Sequence, residues 1–369
     1  MGKKVIIGMS GGVDSSVAAI LLKKQGYDVE GLFMRNWDAA INNDILGNPT
    51  LNNNICPQEE DYNDAIKVCE KIGIPLHRVD FVKEYWDYVF TYFLDELKKG
   101  RTPNPDIMCN KYIKFDCFIK EAEKLGADYI ATGHYAKMVD GDLFRSKDKN
   151  KDQTYFLSQL SREQLKNVIF PLGDIEKPEV RRIAEQYDLV TAKKKDSTGI
   201  CFIGERNFKD FLKNYLPNKS GDIVNIENNE VIGKHIGLMY YTIGQRRGLD
   251  IGGYENRMFV VGKNLDKNVL YVALGEDNEY LYSDSCIVED INFNCDKRPT
   301  ECTAKFRYRA EDVPVELEYL DDGNISVKYN KVKSVTPGQA CVFYLGEQCL
   351  GGGIIKEVKK NQEKLWYLL

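Results

Sequence analysis

The fold is decided by the stretch Val5-Ile6-Ile7-Gly8-Met9-Ser10-Gly11-Gly12-Val13-Asp14-Ser15, close to the start of the chain. Its apolar first half predicts a buried strand, and the apolar spacing that continues to Gly26 predicts a helix. A glycine-rich turn between a strand and a helix directs backbone N–H groups at a phosphate. The stretch therefore favours a nucleotide-binding loop over a strand–helix turn without a ligand.

The spacing of the glycines excludes the two common phosphate loops. Residues 8–15 do not fit the dinucleotide fingerprint G-x-G-x-x-G, and no Lys follows the glycines as in G-x-x-x-x-G-K-[ST]. The order S-G-G-x-D-S instead resembles the PP-loop of the ATP pyrophosphatase superfamily, whose members activate a carbonyl or carboxyl oxygen by transferring AMP to it. Asp14 would repel a bare phosphate, so we expect it to bind Mg²⁺ or to cap the helix. Ser10 and Ser15 are further capping candidates.

Length and composition indicate a multi-domain globular protein. The chain has 369 residues, 43% of them hydrophobic and 29% charged, which predicts two or three domains and no membrane-spanning segment. A net charge of −5 does not indicate nucleic-acid binding, although local basic patches could still bind RNA. Ten cysteines without a secretory signal pattern predict a reducing, cytoplasmic location and mostly free thiols. Without a C-x-x-C pair, a common structural zinc site is not expected.

Strand and helix patterns alternate over the first 206 residues and predict a doubly wound parallel sheet covered on both faces. Ligands bind such sheets at the carboxyl ends of the strands. The glycine-rich loop, Met34 and Thr132-Gly133-His134 all follow predicted strands, which favours one shared site. Short alternating runs dominate the rest of the chain and predict small all-β domains, the last one a barrel. We expect a catalytic domain over residues 1–206, a β-rich central domain over 207–280 and a β-barrel domain over 281–369.

Two cysteines stand apart from the rest. Cys109 follows two prolines in a predicted loop just before a helix expected to start at Asn110, and a helix N-terminus lowers the pKa of a thiol. Cys201 follows Lys193-Lys194-Lys195, whose charges would also favour the thiolate. The local sequence alone leaves open whether either thiol is reactive.

Six segments resemble the bacterial tRNA-specific 2-thiouridylase family, and they span the chain in order. They are GMSGGVDS, GRTPNPDIMCNKYIKF, DYIATGHYA, KDQTYFL, DSTGICFIGERNF and YTIGQRRGL. The resemblance implies an adenine nucleotide α-hydrolase-like catalytic domain and an ATP-dependent tRNA-uridine 2-sulfurtransferase. That activity replaces the C2 oxygen of the wobble uridine with sulfur. The implied partners are tRNA and a sulfur donor, such as a cysteine desulfurase or a sulfur-relay protein.

The resemblance also implies roles for single residues. Cys201 would carry sulfur as a persulfide, Cys109 would be its partner nucleophile, and the two would end as a transient disulfide. ATP would be bound by Gly8, Met9, Ser10, Gly11, Gly12, Val13, Asp14, Ser15, Met34 and Gly133. The target base would meet Asn104, Pro105 and Asp106. Other tRNA contacts would come from His134, Lys151, Asp152, Gln153, Arg307, Tyr308 and Gln339. Asp106 would also bind the base edge or shuttle a proton, and ATP and Mg²⁺ would be the required small molecules.

Plainer interpretations stay open for several of these residues. Asp106 could simply form a turn after Pro105, and His134 could be a packed histidine. Arg307 and Arg309 alternate with aromatic residues in a predicted strand, so that they share one face, which suits either RNA contact or solvation.

Three other functions compete with thiolation. One is a PP-loop ligase that adenylates a small carboxylate. Another is an RNA-binding protein with a redox-sensing cysteine pair. The third is an iron–sulfur cluster bound partly by Cys109 and Cys201, although no stable prosthetic group is expected.

Overall fold

A computed structural model of the chain describes residues 2–51, 56–196, 199–201, 203–204, 206–252 and 257–368. Five parallel strands form the sheet of the N-terminal domain. In spatial order they are Leu76–Asp80, Asp28–Arg35, Lys4–Met9, Tyr129–Ala131 and Val168–Ile169. The chain order reverses beside the central strand Lys4–Met9, which confirms the doubly wound sheet and places a switch point there.

Both faces of this sheet are buried, as the continuous apolar strands predict. Val5, Ile7 and Met9 pack into one hydrophobic cluster, whereas Ile6 packs into a larger cluster on the other face. The helices of the domain are Val13–Lys24, Pro57–Ile72, Val82–Tyr85, Trp86–Phe90, Thr91–Lys98, Pro105–Met108, Cys109–Cys117, Phe118–Lys124, Thr154–Leu157, Arg162–Leu165 and Lys177–Gln186.

The helix that carries Cys109 differs from the sequence-based prediction. It begins at Pro105 rather than at Asn110 and continues to residue 124, with a π-helical segment over Cys109–Cys117. Pro105 favours the first helical turn because its missing N–H is not needed there. Cys109 therefore lies inside the helix, one turn beyond its start, and not in a loop before it.

Two β-rich units follow the N-terminal domain, as predicted. The central unit contains the helix Phe208–Lys213, the 3₁₀ turn Leu238–Tyr240 and a four-stranded sheet, with strands Met258–Asn264, Val269–Leu274, Gly221–Asn225 and Glu230–His235 in spatial order. The C-terminal unit starts with the 3₁₀ turn Glu279–Leu281. Its strands are Tyr282–Phe293, Glu301–Lys305, Val313–Tyr319, Ile325–Lys333, Ala340–Leu345, Gln348–Lys360 and Glu363–Lys364.

The C-terminal sheet closes on itself as an antiparallel barrel of six strands. Closure comes from Tyr282–Phe293, which pairs with Ile325–Lys333 on one side and with Gln348–Lys360 on the other. A hairpin of the N-terminal domain, Ala136–Val139 and Asp142–Arg145, joins this sheet at Gln348. Among the described residues, none of the helices is both long and apolar enough to cross a lipid bilayer.

The strand predicted over residues 303–308 is shorter than expected. Glu301–Lys305 ends before Arg307 and Tyr308, which lie in a turn. Arg307 and Arg309 therefore do not share a sheet face, and the predicted strand alternation is wrong for this segment.

Candidate active site

A cavity of about 400 Å³ opens at the carboxyl ends of the parallel strands. It is lined by the nucleotide loop (residues 8–15), by the ends of two strands, by the helix that starts at Pro105 and by the loop that carries Cys201. Residues from these five elements include Gly8, Met34, Asp106, Lys114, Gly133 and Cys201. The predicted convergence of the loop, Met34 and Gly133 on one site is therefore confirmed.

Two glycines allow the nucleotide loop to pack closely. Gly11 has φ of +70°, and a Cβ there would lie 2.1 Å from the Asp61 carbonyl oxygen. A Cβ on Gly133 would lie 2.8 Å from the backbone nitrogen of Ser15, so the strand end touches the first turn of the helix Val13–Lys24. The N-cap residue of that helix is Gly12. This corrects the expectation that Asp14 or a serine caps it, and the bare N-terminus suits an anion.

Asp14 is held in a network of charges that also includes the start of the Cys201 loop. The Tyr135 hydroxyl and the Lys177 ammonium group each donate to the Asp14 carboxylate at 2.8 Å. The same ammonium group lies 2.7 Å from a carboxylate oxygen of Asp196. Burial opposes the charge of Asp196, but hydrogen bonds from Lys151 and Lys177 outweigh it and lower the pKa of that carboxyl to about 2. The Lys177 ammonium group thus links the nucleotide loop to the loop that carries Cys201, which we call the cysteine loop.

The two singled-out cysteines are neighbours. The Cys109 sulfur donates a hydrogen bond to the Cys201 sulfur at 3.7 Å. Cys109 is buried and Cys201 is half-buried. The Cys201 N–H donates to the Asp106 carboxylate at 3.0 Å, and the Tyr85 hydroxyl donates to the Cys201 carbonyl oxygen at 2.7 Å. These two backbone bonds fix the cysteine loop above the helix that carries Cys109.

The two thiols differ in acidity. Burial raises the pKa of Cys109 well above its ordinary value, which corrects the expectation that a helix N-terminus lowers it. For Cys201, the hydrogen bond from Cys109 lowers the pKa against the opposing effect of burial, and the Lys114 charge adds to this. Cys201 is therefore the more acidic thiol of the pair.

The cation beside Cys201 is not one of the three predicted lysines. Lys194 instead lies 2.7 Å from both Asp61 and Asp64. Lys114 lines the cavity together with Cys201, and its charge helps to lower the pKa of that thiol. The sequence signal for Lys114 is its spacing from Asp106, which is eight residues or about two helical turns.

The sequence predicts three base-binding residues. Among the described residues that line the cavity, Asp106 is the one of these three. Burial raises the pKa of its carboxyl. Asn104 is the N-cap residue of the helix that Pro105 begins.

The residues predicted to contact tRNA fall into two groups. His134 and Gln153 line the cavity, and burial lowers the pKa of His134 well below its ordinary value, so the ring is neutral. Tyr308 packs against Phe156, another cavity residue, with ring centroids 4.3 Å apart.

The others are engaged within the protein. Lys151 pairs with Asp196 at 2.7 Å, Asp152 is buried and accepts from Ser146 and Thr154, and Gln339 donates to the Thr102 carbonyl oxygen. The Arg307 side chain is half-buried, and its Nη2 donates to Ile243, Ser334 and Thr336. The tRNA contacts of these residues stay predictions.

Three family profiles match the chain in succession. They are described as the tRNA methyl transferase HUP domain over residues 3–205, the tRNA methyl transferase PRC-barrel domain over 209–274 and the aminomethyltransferase β-barrel domain over 283–355. The tRNA-specific 2-thiouridylase MnmA of Mycoplasmopsis synoviae is 58% identical over 99% of both chains. The chain belongs to the tRNA-specific 2-thiouridylase family. A second 2-thiouridylase MnmA, from Mesoplasma florum, is 58% identical over 97% of this chain and 100% of its own length.

One solved structure resembles part of this 2-thiouridylase family member weakly. A 4-thiouridine synthetase–RNA complex with bound ATP is 17% identical, with a TM-score of 0.34 over 55% of this chain and 46% of that one. A likeness of this size does not bear on function. Family membership therefore rests on the full-length relatives and on the matched domains.

Proposed function

We propose that this protein is an ATP-dependent sulfurtransferase that replaces the C2 oxygen of the wobble uridine in tRNA with sulfur. Its relatives of 58% identity carry the name tRNA-specific 2-thiouridylase. The observation that carries the proposal is one cavity lined both by the nucleotide loop and by Cys201, whose sulfur is 3.7 Å from that of Cys109. A PP-loop ligase for small carboxylates would not need that thiol pair.

ATP would be the activating substrate. A uracil carbonyl oxygen is a poor leaving group, and transfer of AMP to it makes a good one. The bare helix N-terminus at Gly12 would bind the phosphates and stabilise the charge of the departing pyrophosphate. Asp106 lines the same cavity, accepts from the Cys201 N–H and would hold the base edge.

The residues present fit Mg²⁺ only as a partner of ATP. Asp14 is one carboxylate beside the loop, and it already accepts from Lys177 and Tyr135. Within the described ranges, His, Cys, Asp and Glu side chains form no group of three that could hold a metal ion. Mg²⁺ often takes one or two carboxylates and otherwise phosphate oxygens and water. Asp14 would supply that protein ligand, and ATP would supply the others.

Sulfur transfer would follow activation in two bond exchanges. The terminal sulfur of a Cys201 persulfide attacks C2 and forms the C–S bond. Cys109 then attacks the inner sulfur of Cys201, the persulfide bond breaks, and its electron pair returns to the sulfur on C2. Collapse to C=S expels AMP and leaves a Cys109–Cys201 disulfide, which a thiol reductant must open. Asp106 is the carboxylate beside the thiols that would accept the Cys109 proton.

A sulfane-sulfur donor protein and a reducing, cytoplasmic location follow from this chemistry, because the persulfide must be supplied and the disulfide reopened in every cycle. An iron–sulfur cluster is the weaker alternative. Among the described side chains, no third donor is grouped with Cys109 and Cys201 in a metal-holding arrangement.

The test is a single-turnover incubation with ATP, Mg²⁺, cysteine persulfide as the sulfane-sulfur donor and unmodified tRNA, followed by mass spectrometry of the nucleosides and an assay of AMP release. We expect 2-thiouridine at the wobble position and tRNA-dependent AMP. Cys109→Ser and Cys201→Ser should each abolish 2-thiouridine while ATP still binds, and Cys302→Ser, in a barrel strand, should leave it unchanged. AMP release without tRNA would favour the small-molecule ligase. RNA binding without AMP release would favour the redox sensor.

A further inference from the structure

Asp106, Asn110 and Lys114 form a polar stripe on one face of the helix that begins at Pro105. They are spaced four residues apart, so they lie one above the other, and all three line the cavity. Cys109 lies on the same helix, one residue before Asn110, and is buried beneath the cysteine loop. The stripe therefore runs beside the thiol pair from a carboxylate at one end to an ammonium group at the other.

Lys114 lies close to the sulfur that has to react. Lys114 and Cys201 line the same cavity, and the electrostatic neighbours of the Lys114 ammonium group are Cys201, Cys109 and Asp106. Two uncharged groups of other elements lie nearby: the His134 ring, which is within range of the Lys114 charge, and the Tyr85 hydroxyl, which donates to the Cys201 carbonyl oxygen. Lys114 is thus the cation whose charge acts on Cys201 within the described part of the site.

Such a cation is needed at this sulfur for a chemical reason. Cys201 has to attack the outer sulfur of a donor persulfide as a thiolate, which forms the Cys201 S–S bond and expels the donor as its own thiolate. The persulfide that results carries the negative charge on its terminal sulfur. The hydrogen bond from Cys109 stabilises the Cys201 thiolate, but this bond is lost when Cys109 gives up its proton. The Asp106 carboxylate repels a negative charge on Cys201.

We propose that Lys114 is a catalytic residue that keeps the sulfur of Cys201 anionic, first as the thiolate that takes up sulfur and then as the persulfide that delivers it. This assignment rests on the proposed function for its role in turnover. The contact with Cys201 is independent of turnover and can be tested in the resting protein.

The experiment measures alkylation of Cys201 by iodoacetamide against pH, on the full chain without ATP or tRNA, with the modified Cys201 peptide quantified by mass spectrometry. The variants are Lys114→Met, Lys114→Gln and Lys114→Arg. Lys120→Met is the matched control, because Lys120 lies on the same helical segment and pairs with exposed Asp116. Circular dichroism of each variant reports whether the fold is kept.

Removing an adjacent opposite charge shifts a thiol pKa upward by about 1–3 units, so Lys114→Met and Lys114→Gln should alkylate at least about tenfold more slowly at pH 7. Lys114→Arg and Lys120→Met should keep the parent profile. The same neutral variants should also take less sulfur onto Cys201 from cysteine persulfide, used as the low-molecular-weight donor.

Two outcomes would overturn the assignment. One is an unchanged Cys201 profile in a folded Lys114→Met or Lys114→Gln variant, and the other is an equal shift in Lys120→Met. If the shift occurs but the parent chain makes no 2-thiouridine, the contact between Lys114 and Cys201 stands and the proposed function fails. If the parent chain makes 2-thiouridine and the shift is absent, the function stands and the role of Lys114 fails.

Discussion

Gly133→Ala is the sharpest test of how the nucleotide loop is built. The backbone of Gly133 adopts a conformation that other residues can also adopt. Glycine is therefore required only because a side chain would clash with neighbouring atoms. An added Cβ would lie 2.8 Å from the Ser15 nitrogen, 2.9 Å from the Asp14 carbonyl carbon and 3.2 Å from the Ser15 Cα. All three are backbone atoms in the first turn of the helix Val13–Lys24, so no flexible side chain can yield.

The displacement sets the expected loss. Ordinary contact begins near 3.4 Å, so the strand end and the helix start must separate by about 0.6 Å. Overpacking of this kind costs about 1–3 kcal/mol. If that cost falls on the conformation that binds the phosphates, ATP affinity drops by about 5- to 150-fold.

Isothermal titration with ATP in the absence of tRNA measures this loss without turnover. Gly252→Ala is the matched control, because a Cβ there meets no atom of the described residues within 4 Å and its ATP affinity should equal that of the parent chain. A thermal melt of each variant separates loss of binding from loss of fold. An unchanged ATP Kd in folded Gly133→Ala would refute the argument that this close approach shapes the loop.

Three further perturbations test other parts of the site. Asp106→Asn keeps an acceptor for the Cys201 N–H but removes the carboxylate, so single-turnover thiolation should fall by about 10²- to 10⁴-fold while ATP affinity is kept. A normal rate would show that Asp106 only holds the Cys201 backbone in place. Lys177→Met leaves the Asp14 carboxylate unneutralised beside the triphosphate, so ATP should bind about tenfold more weakly or worse, and an unchanged Kd in the same titration would contradict this role of Lys177. Lys263 is buried, and burial lowers its pKa from 10.5 to about 7. The unfolded chain then binds the extra proton between those values, so stability rises with pH across that window, by up to about 5 kcal/mol. Lys263→Met should flatten the rise in urea midpoint between pH 7.5 and pH 9.5, and equal slopes would contradict the shift.

The sheet and the position of the cavity could be predicted because they depend on local patterns. Apolar strands followed by helical spacing indicate parallel pairing, and parallel strands bring their carboxyl ends together. That reasoning alone placed Met34 and Gly133 beside the nucleotide loop. The barrel followed from the same kind of pattern, since short alternating runs between turn residues indicate antiparallel strands.

The acidity of the thiols could not be predicted, because it depends on where the helix starts and on long-range contacts. Two prolines suggested a loop up to Asn110, although Pro105 starts the helix. That error of five residues placed Cys109 at a terminus and hid the alignment of Lys114 with Asp106. The hydrogen bonds of Arg307 within the protein were equally hidden, because its partners Ile243 and Thr336 come from the central domain and the barrel domain.

The hairpin Ala136–Val139 and Asp142–Arg145 has a consequence for how the chain matures during translation. Its partner on the barrel, Gln348, is made about 200 residues later, which takes about 10–40 s at the usual speed of a ribosome. During that time one edge of the hairpin lacks its partner strand. Arg145 likewise lacks its ion-pair partner Asp312, which lies 2.7 Å away in the folded protein, until that residue has been made. The first domain to emerge is therefore completed last, by the final strands of the chain.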